Sequence, residues 1–219
     1  MKKTEKILVT FDLDYTLLEN SEGIVNSFNY ALKKFDLPEL KPENIKKMIG
    51  TPLDEMFGSV SNLNPSLLTD AFREYYAEKG IYQVRLLPCA KEKVQQFSKL
   101  FKLGVITSKK EEMAKKIVKV INLENYFDFV IGETTERKQK AHPSTVKFIK
   151  SQFPGYKIVV IGDHIHDKAL AVLLRAKFIG VLSGHCTRSQ LLDENYEDIR
   201  IIEDLSQLSP QIIHKLVKN

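Results

Sequence analysis

Apolar and polar positions along this chain follow two periods, and the order in which they occur predicts the fold. The run ILVTF, Ile7 to Phe11, is short, β-branched and aromatic, the composition of a strand buried on both faces. Helical periods then dominate from Ser21 to about Gly80, with no convincing strand; Ile24, Phe28, Ala31, Leu32 and Phe35 share one helical face. Within TPLDEMF, Thr51 reads as an N-cap, with Pro52 at the first helical position and Asp54 as the capping-box partner. Asn64 and Pro65 repeat that grammar, and Gly80 reads as the stop. From about Pro88 onward the short runs LGVITS, FDFVIG, KIVVIGD, AKFIGVL and IRII alternate with helical segments. Such alternation predicts a parallel sheet covered by helices on both faces. The expected class is therefore α/β: a doubly wound, Rossmann-like parallel sheet, interrupted after its first strand by an α-helical insertion.

Composition narrows the picture. The chain has 219 residues, 43% of them hydrophobic, enough for a sizeable core. No apolar run approaches the ~18 residues of a membrane span, so no membrane partner is expected. The basic start MKKTEK meets Asp12 and Asp14 too soon for a signal peptide, and the expected location is cytoplasmic. Cys89 and Cys186 have neither metal-ligand spacing nor the look of a disulfide framework. The net charge of +5 is spread among acids rather than gathered in a patch. That argues against a nucleic-acid partner and mildly favours anionic substrates.

In an open α/β sheet, ligands bind at the carboxyl ends of the strands, and polar residues collect there. Asp12 and Asp14 close the first strand; they share a face if strand geometry persists through them. Paired carboxylates bind hard metal ions or divide acid–base work, although aspartates are also common in turns. Thr107 and Ser108 end a second strand. Ser108 with Glu111 reads as a capping box that opens the next helix, which aims Thr107 and the helix's first amides at an anion. Asp163 ends a third strand, either as an N-cap or as a second acid site, with Asp167 one helical turn on. Lys138 and Lys140 precede a helix expected to start at Pro143. His164 and His166 keep a transition-metal reading open. Acid pair, hydroxyl, lysine and acid pair supply what phosphoryl transfer to a carboxylate needs: a nucleophile, a divalent cation, donors for the equatorial oxygens and an acid for the leaving group.

DLDYT, VITS, the lysine before AHP, and GDHIHD resemble the four motifs of the haloacid dehalogenase superfamily, and the insertion resembles its type 1 cap. IGTPLDEMF, YYAEKGIY, LLPCAKEKV and GVLSGH are similar to phosphoglycolate phosphatases and their pyrophosphatase and sugar-phosphate relatives. The resemblance implies a core of residues 1–17 and 84–219 and a cap of residues 18–83. It implies a Mg²⁺-dependent phosphatase, monomeric or homodimeric, acting on a small phosphorylated metabolite through an aspartyl phosphate. By the same resemblance Asp12 is the nucleophile and Asp14 the general acid and base. Asp12, the Asp14 carbonyl and Asp163 hold Mg²⁺, with Asp167 supporting the metal shell. Thr107, Ser108 and Lys140 bind phosphate, Lys140 being preferred to Lys138 by its distance from the proline. The chain departs from the usual pattern at Tyr15 and Cys89, where glycine is common, at His164, where a small polar residue is usual, and at Ala141, where proline is usual.

Other readings use the same residues. A pyrophosphatase, a sugar-phosphate phosphatase and a phosphomutase need the same four motifs, and nucleoside monophosphates also fit as substrates. A receiver-like signalling protein or a non-catalytic phospho-binding protein would share part of the set, but receivers lack so large an insertion. A dehalogenase would lack the second acid that Asp14 supplies. No G-x-G-x-x-G or G-x-x-x-x-G-K follows a strand, which removes dinucleotide and P-loop enzymes.

Overall fold

The computed structural model describes residues 5–49, 51–192 and 196–218. Strand β1 (Ile7–Phe11) is buried at all five positions, as its unbroken apolar run requires. The chain then passes through β2 (Leu18–Glu19) into α1 (Ser21–Lys34), α2 (Pro42–Met48), α3 (Leu53–Gly58) and α4 (Pro65–Glu78), and leaves through β3 (Arg85–Leu86). The two-residue strands β2 and β3 pair with each other. Next come α5 (Ala90–Ser98), β4 (Lys102–Lys110), α6 (Glu111–Val120), β5 (Phe129–Glu133), α7 (Pro143–Gln152) and β6 (Lys157–Gly162). The chain ends with α8 (Ile165–Leu174), β7 (Lys177–Val181), α9 (Arg188–Leu191), β8 (Ile199–Ile202) and α10 (Pro210–Lys218).

Contacts divide the chain into two compact units, Met1–Leu18 with Leu86–Asn219, and Glu19–Arg85. The first unit contains a six-stranded sheet in the order β5-β4-β1-β6-β7-β8, with every pairing parallel. β1 is thus central, and the chain order reverses beside it, so the carboxyl ends of β1, β4 and β6 meet at the switch point where α/β sheets bind ligands. Phe11, Phe97 and Phe178 are fully buried in this unit, and the five expected apolar runs form β4 to β8. The second unit is helical: Ile24, Phe28, Ala31 and Leu32 form the buried face of α1, and Phe28 stacks on Phe57 at 4.2 Å. Among the described residues no helix is long and apolar enough to cross a membrane.

Some local expectations are corrected. Thr51 does not cap α3; Pro52 holds that position, and the Asp54 carboxylate accepts from the Thr69 hydroxyl at 2.5 Å instead of closing a box. Asn64 does cap α4, its side chain accepting from the Ser66 amide, but α4 ends at Glu78 and Gly80 begins a 3-10 turn. Ser108 does not open a helix either. β4 runs on to Lys110, with its pairing to β5 shifting register between Ile106 and Lys110, and α6 starts at Glu111. Glu111 cannot reach back to Ser108 because its carboxylate holds Arg137 and Lys115.

Candidate active site

Asp12 follows β1 directly, and its amide still bonds the Ile161 carbonyl at 2.9 Å, so the sheet ladder fixes its backbone. Its carboxylate is buried and meets the Lys140 ammonium at 2.9 Å. Lys140 also contacts Asp167 Oδ1 at 2.7 Å, and only 5% of its side chain is exposed. Asp163 lies at the end of β6, where its Oδ1 accepts from the Thr16 hydroxyl at 2.8 Å. The chain is glycine at two close approaches: a Cβ on Gly162 would lie 2.1 Å from the Asp167 carboxyl carbon, and one on Gly184 would lie 1.9 Å from Asp163 Oδ2. Lys138 is exposed, so geometry brings Lys140 and not Lys138 to the carboxylates.

Asp163 does not cap α8. His164 does, accepting from the His166 amide, while Asp167 Oδ2 accepts from the His164 amide to complete the box. Asp167 thereby has one oxygen on Lys140 and the other on the backbone. The side chains of His164 and His166 pack edge to face at 4.7 Å. Burial pushes both imidazoles down, His164 to about 4, with His166 and Lys140 adding to the effect there.

Thr107 is buried within β4, its hydroxyl accepting from the Lys109 amide at 3.3 Å. The buried Ser108 hydroxyl, also within β4, has no hydrogen-bond partner among the described residues. Asp14 is not in the buried acid cluster. The strand ends at Phe11, so the turn sets its direction, and its Oδ2 pairs with Lys109 Nζ at 2.9 Å. Tyr15, next in that turn, adopts φ +58°, the left-handed region that favours glycine. Its ring packs edge-on against His185 at 4.7 Å, and its carbonyl accepts from the Ser183 hydroxyl.

The electrostatics of the cluster point to a cation. Ligand oxygens of Asp12, Asp163 and Asp167 lie within 4.8 Å of one another and all three residues are buried. Burial pushes Asp12 up to about 6; Lys140 opposes the rise, and the charges of Asp167 and Asp14 add to it. Burial likewise raises Asp163 well above the usual carboxylate range, and raises Asp167 against the pull of Lys140. For Lys140, burial alone would lower the value, but Asp12 and Asp167 outweigh it and the net shift is upward. Three buried carboxylates lie together and Lys140 contacts two of them, Asp12 and Asp167, so a divalent ion with a preference for oxygen would relieve the repulsion. Because Asp167 is already doubly hydrogen-bonded, Asp12 and Asp163 are the carboxylates with donor capacity left, and the site fits such an ion.

Sequence reasoning did not single out Thr16, Lys109, Gly184 or the Glu111–Arg137 pair. Thr16 and Gly184 sit in loops whose neighbours are set by tertiary folding. Lys109 stands two residues after Thr107 but looks like any surface lysine in the sequence. Arg137 stacks over Phe148 at 4.3 Å and closes on Glu111, which anchors the loop that delivers Lys140.

Comparison with known proteins agrees with this geometry. A phosphoglycolate phosphatase of Aquifex aeolicus is 33% identical over 148 residues, covering 64% of this chain and 66% of that protein. A pyrophosphatase of Bacillus pumilus is 30% identical, over 73% of this chain and 75% of its own. The structure of a haloacid dehalogenase-like family hydrolase from Streptococcus pneumoniae superposes with a TM-score of 0.82 at 27% identity, over 93% of this chain and 97% of that one. Residues 9–181 match the family described as haloacid dehalogenase-like hydrolase, and with the parallel sheet and the acid cluster at its switch point the chain belongs to that family.

Proposed function

We propose that this chain is a Mg²⁺-dependent phosphatase that hydrolyses a small phosphorylated metabolite of the phosphoglycolate kind through an aspartyl phosphate on Asp12. The observation that carries the reading is the buried Asp12 carboxylate, fixed at the sheet's switch point against Lys140 and beside Asp163. A carboxylate so held is aimed by the backbone rather than by its own rotamers, which is what in-line attack requires. Asp12, Asp163 and the Asp14 carbonyl would hold Mg²⁺, which would supply positive charge against the nucleophile and the phosphate.

The chain's own residues do the rest. Asp12 attacks phosphorus and the ester oxygen departs, taking the proton of Asp14. Water then attacks the same phosphorus, Asp14 accepts its proton, and inorganic phosphate leaves with Asp12 restored. Lys140, Thr107 and Ser108 donate to the equatorial oxygens, and the unpartnered Ser108 hydroxyl supports that role. Asp167 keeps Lys140 oriented. Residues 1–17 and 84–219 form the catalytic core in this reading, and residues 18–83 act as the cap that selects substrate.

A second reading is pyrophosphate hydrolysis, favoured by the likeness to the Bacillus pumilus enzyme; the same residues serve, with phosphate as the leaving group. The test is a screen of phosphorylated metabolites and pyrophosphate, reading released phosphate with Mg²⁺ and with EDTA. Full activity in EDTA, or unchanged activity in Asp12→Asn, would overturn the proposal.

A further inference from the structure

Two separate stretches of chain supply the phosphate donors named above, and one ion pair joins them. Glu111 opens α6 four residues after Thr107, and Arg137 stands three residues before Lys140. The Glu111 carboxylate closes on the Arg137 guanidinium, with only 17% and 14% of the two side chains exposed. β5 packs closely against the Glu111 end of this pair. Its Gly132 amide donates to Glu111 Oε2 at 3.4 Å, and a Cβ on Gly132 would lie 2.5 Å from the Lys109 carbonyl oxygen and 2.7 Å from the Glu111 amide nitrogen. Glu111 therefore starts from backbone that the sheet holds in place.

The Arg137 end is different, because residues 134–142 belong to no strand or helix. Arg137 ties this loop to Glu111 and lies over the Phe148 ring of α7, while the Lys138 carbonyl accepts from the buried Thr145 hydroxyl at 2.7 Å. The Lys140 ammonium carries three hydrogens and already faces Asp12 and Asp167, so its remaining direction is set by where the loop backbone sits. We propose that Glu111 and Arg137 are a positioning pair, tying the β4–α6 junction to the loop that carries Lys140 and so setting the spacing between Thr107, Ser108 and Lys140. The inference rests on the phosphatase reading and adds to that site two residues that act through others. A misplacement of about 1 Å among groups that hold a reacting phosphoryl can cost about 10²-fold in rate.

The experiment measures the inhibition constant of orthovanadate, a mimic of the transferring phosphoryl group, beside kcat/KM for p-nitrophenyl phosphate with Mg²⁺. The proteins are the wild type, Arg137→Gln, Glu111→Gln, the double variant and Lys115→Ala. An inhibition constant does not depend on how much of a preparation is folded, so it separates misplaced donors from lost protein. Arg137→Gln and Glu111→Gln should each weaken vanadate by about tenfold or more, with a matching fall in kcat/KM. The double variant should lose no more than the worse single one, since either change opens the same pair. Lys115→Ala removes the other cation on Glu111 without touching the loop, and should stay near the wild type. Unchanged vanadate constants in both single variants, or losses that multiply in the double variant, would overturn the positioning pair while leaving the phosphatase reading intact. A wild type that releases phosphate from no ester or anhydride would overturn both.

Discussion

The Thr16 hydroxyl donates to Asp163 Oδ1 at 2.8 Å, tying the turn after β1 to the end of β6. Both residues are buried, so the bond fixes which way the Asp163 carboxylate presents its other oxygen. Groups that orient a metal ligand in this way typically matter about 10–100-fold in metal affinity. Thr16→Val keeps the shape and removes the donor. The Mg²⁺ concentration for half-maximal activity should rise by about tenfold or more, and Thr16→Ser should stay near the wild type. A Mg²⁺ titration of activity, repeated by calorimetry, checks this; an unchanged half-activation point in Thr16→Val would show that Asp163 is oriented by its backbone alone.

Asp12 carries a pH signature in the metal-free protein. Its folded value is raised to about 6, mainly by burial, whereas an unfolded aspartate titrates near ~3.9. Between those values the folded state holds more protons than the unfolded one, so this group's contribution to stability falls as pH rises through the window. Above it, ionised Asp12 is a standing cost, and Asp12→Asn removes it while Lys140 keeps Asp167. In EDTA at pH 8, Asp12→Asn should melt above the wild type by about 1–2 kcal/mol, roughly 2–8 °C, and the difference should fade towards pH 4. Thermal melts across that range measure it. A difference independent of pH would trace the gain to something other than ionisation.

Much of the α/β frame was legible because long-range demands coincide with local pattern. Buried parallel strands need continuous apolar runs, and the six runs read from the sequence are the six strands of the sheet. The acids at strand ends were legible for a related reason: a charge directly after an apolar run has few roles except at a ligand-binding edge. β2 and β3 were not legible, since two residues carry no period and pair only because the chain crosses twice in one place. Capping misled at Ser108, where Arg137 occupies Glu111; at Asp163 the cap was only the alternative to an acid site, and the His164 ring accepts the helix amide instead. The error at Ser108 came from competition by a partner distant in sequence. Thr16 and Lys109 lie beyond pattern reading for the same reason: Asp163 is 147 residues from Thr16, and Asp14 follows a different strand from the one that carries Lys109.

Cys89 stands at φ +63° and ψ 0°, just before α5, in the backbone region where a side chain costs about 1–2 kcal/mol. Glycine removes that strain but gains unfolded-state freedom worth roughly 0.5–1 kcal/mol. The half-buried thiol loses little packing. Cys89→Gly should therefore stabilise the protein by about 0.5–1 kcal/mol, and Cys89→Ala, which keeps the strain, should not. Urea unfolding of both variants beside the wild type measures the difference. A loss of stability in Cys89→Gly would mean that the thiol's contacts outweigh the backbone term.

Asp14 separates the chemistry of the two acids that close β1. In the proposed mechanism Asp12 attacks phosphorus, whereas Asp14 gives a proton to the leaving oxygen and takes one from water. Asp14→Asn should slow both steps while sparing the buried cluster, because Asp14 lies in the turn and contacts Lys109 rather than Lys140. Loss of a general acid typically costs about 10²–10⁴-fold, and a leaving group that needs no proton should escape part of that loss. The comparison is Asp14→Asn against the wild type on an alkyl phosphate and on p-nitrophenyl phosphate. Dephosphorylation can limit steady-state turnover and mask the contrast, so the phosphorylation step is followed in single turnover with enzyme in excess. In that step the alkyl ester should lose at least tenfold more than the aryl ester. Equal losses would make Asp14 a positioning residue for the cation or the turn, and would pass the proton to another group.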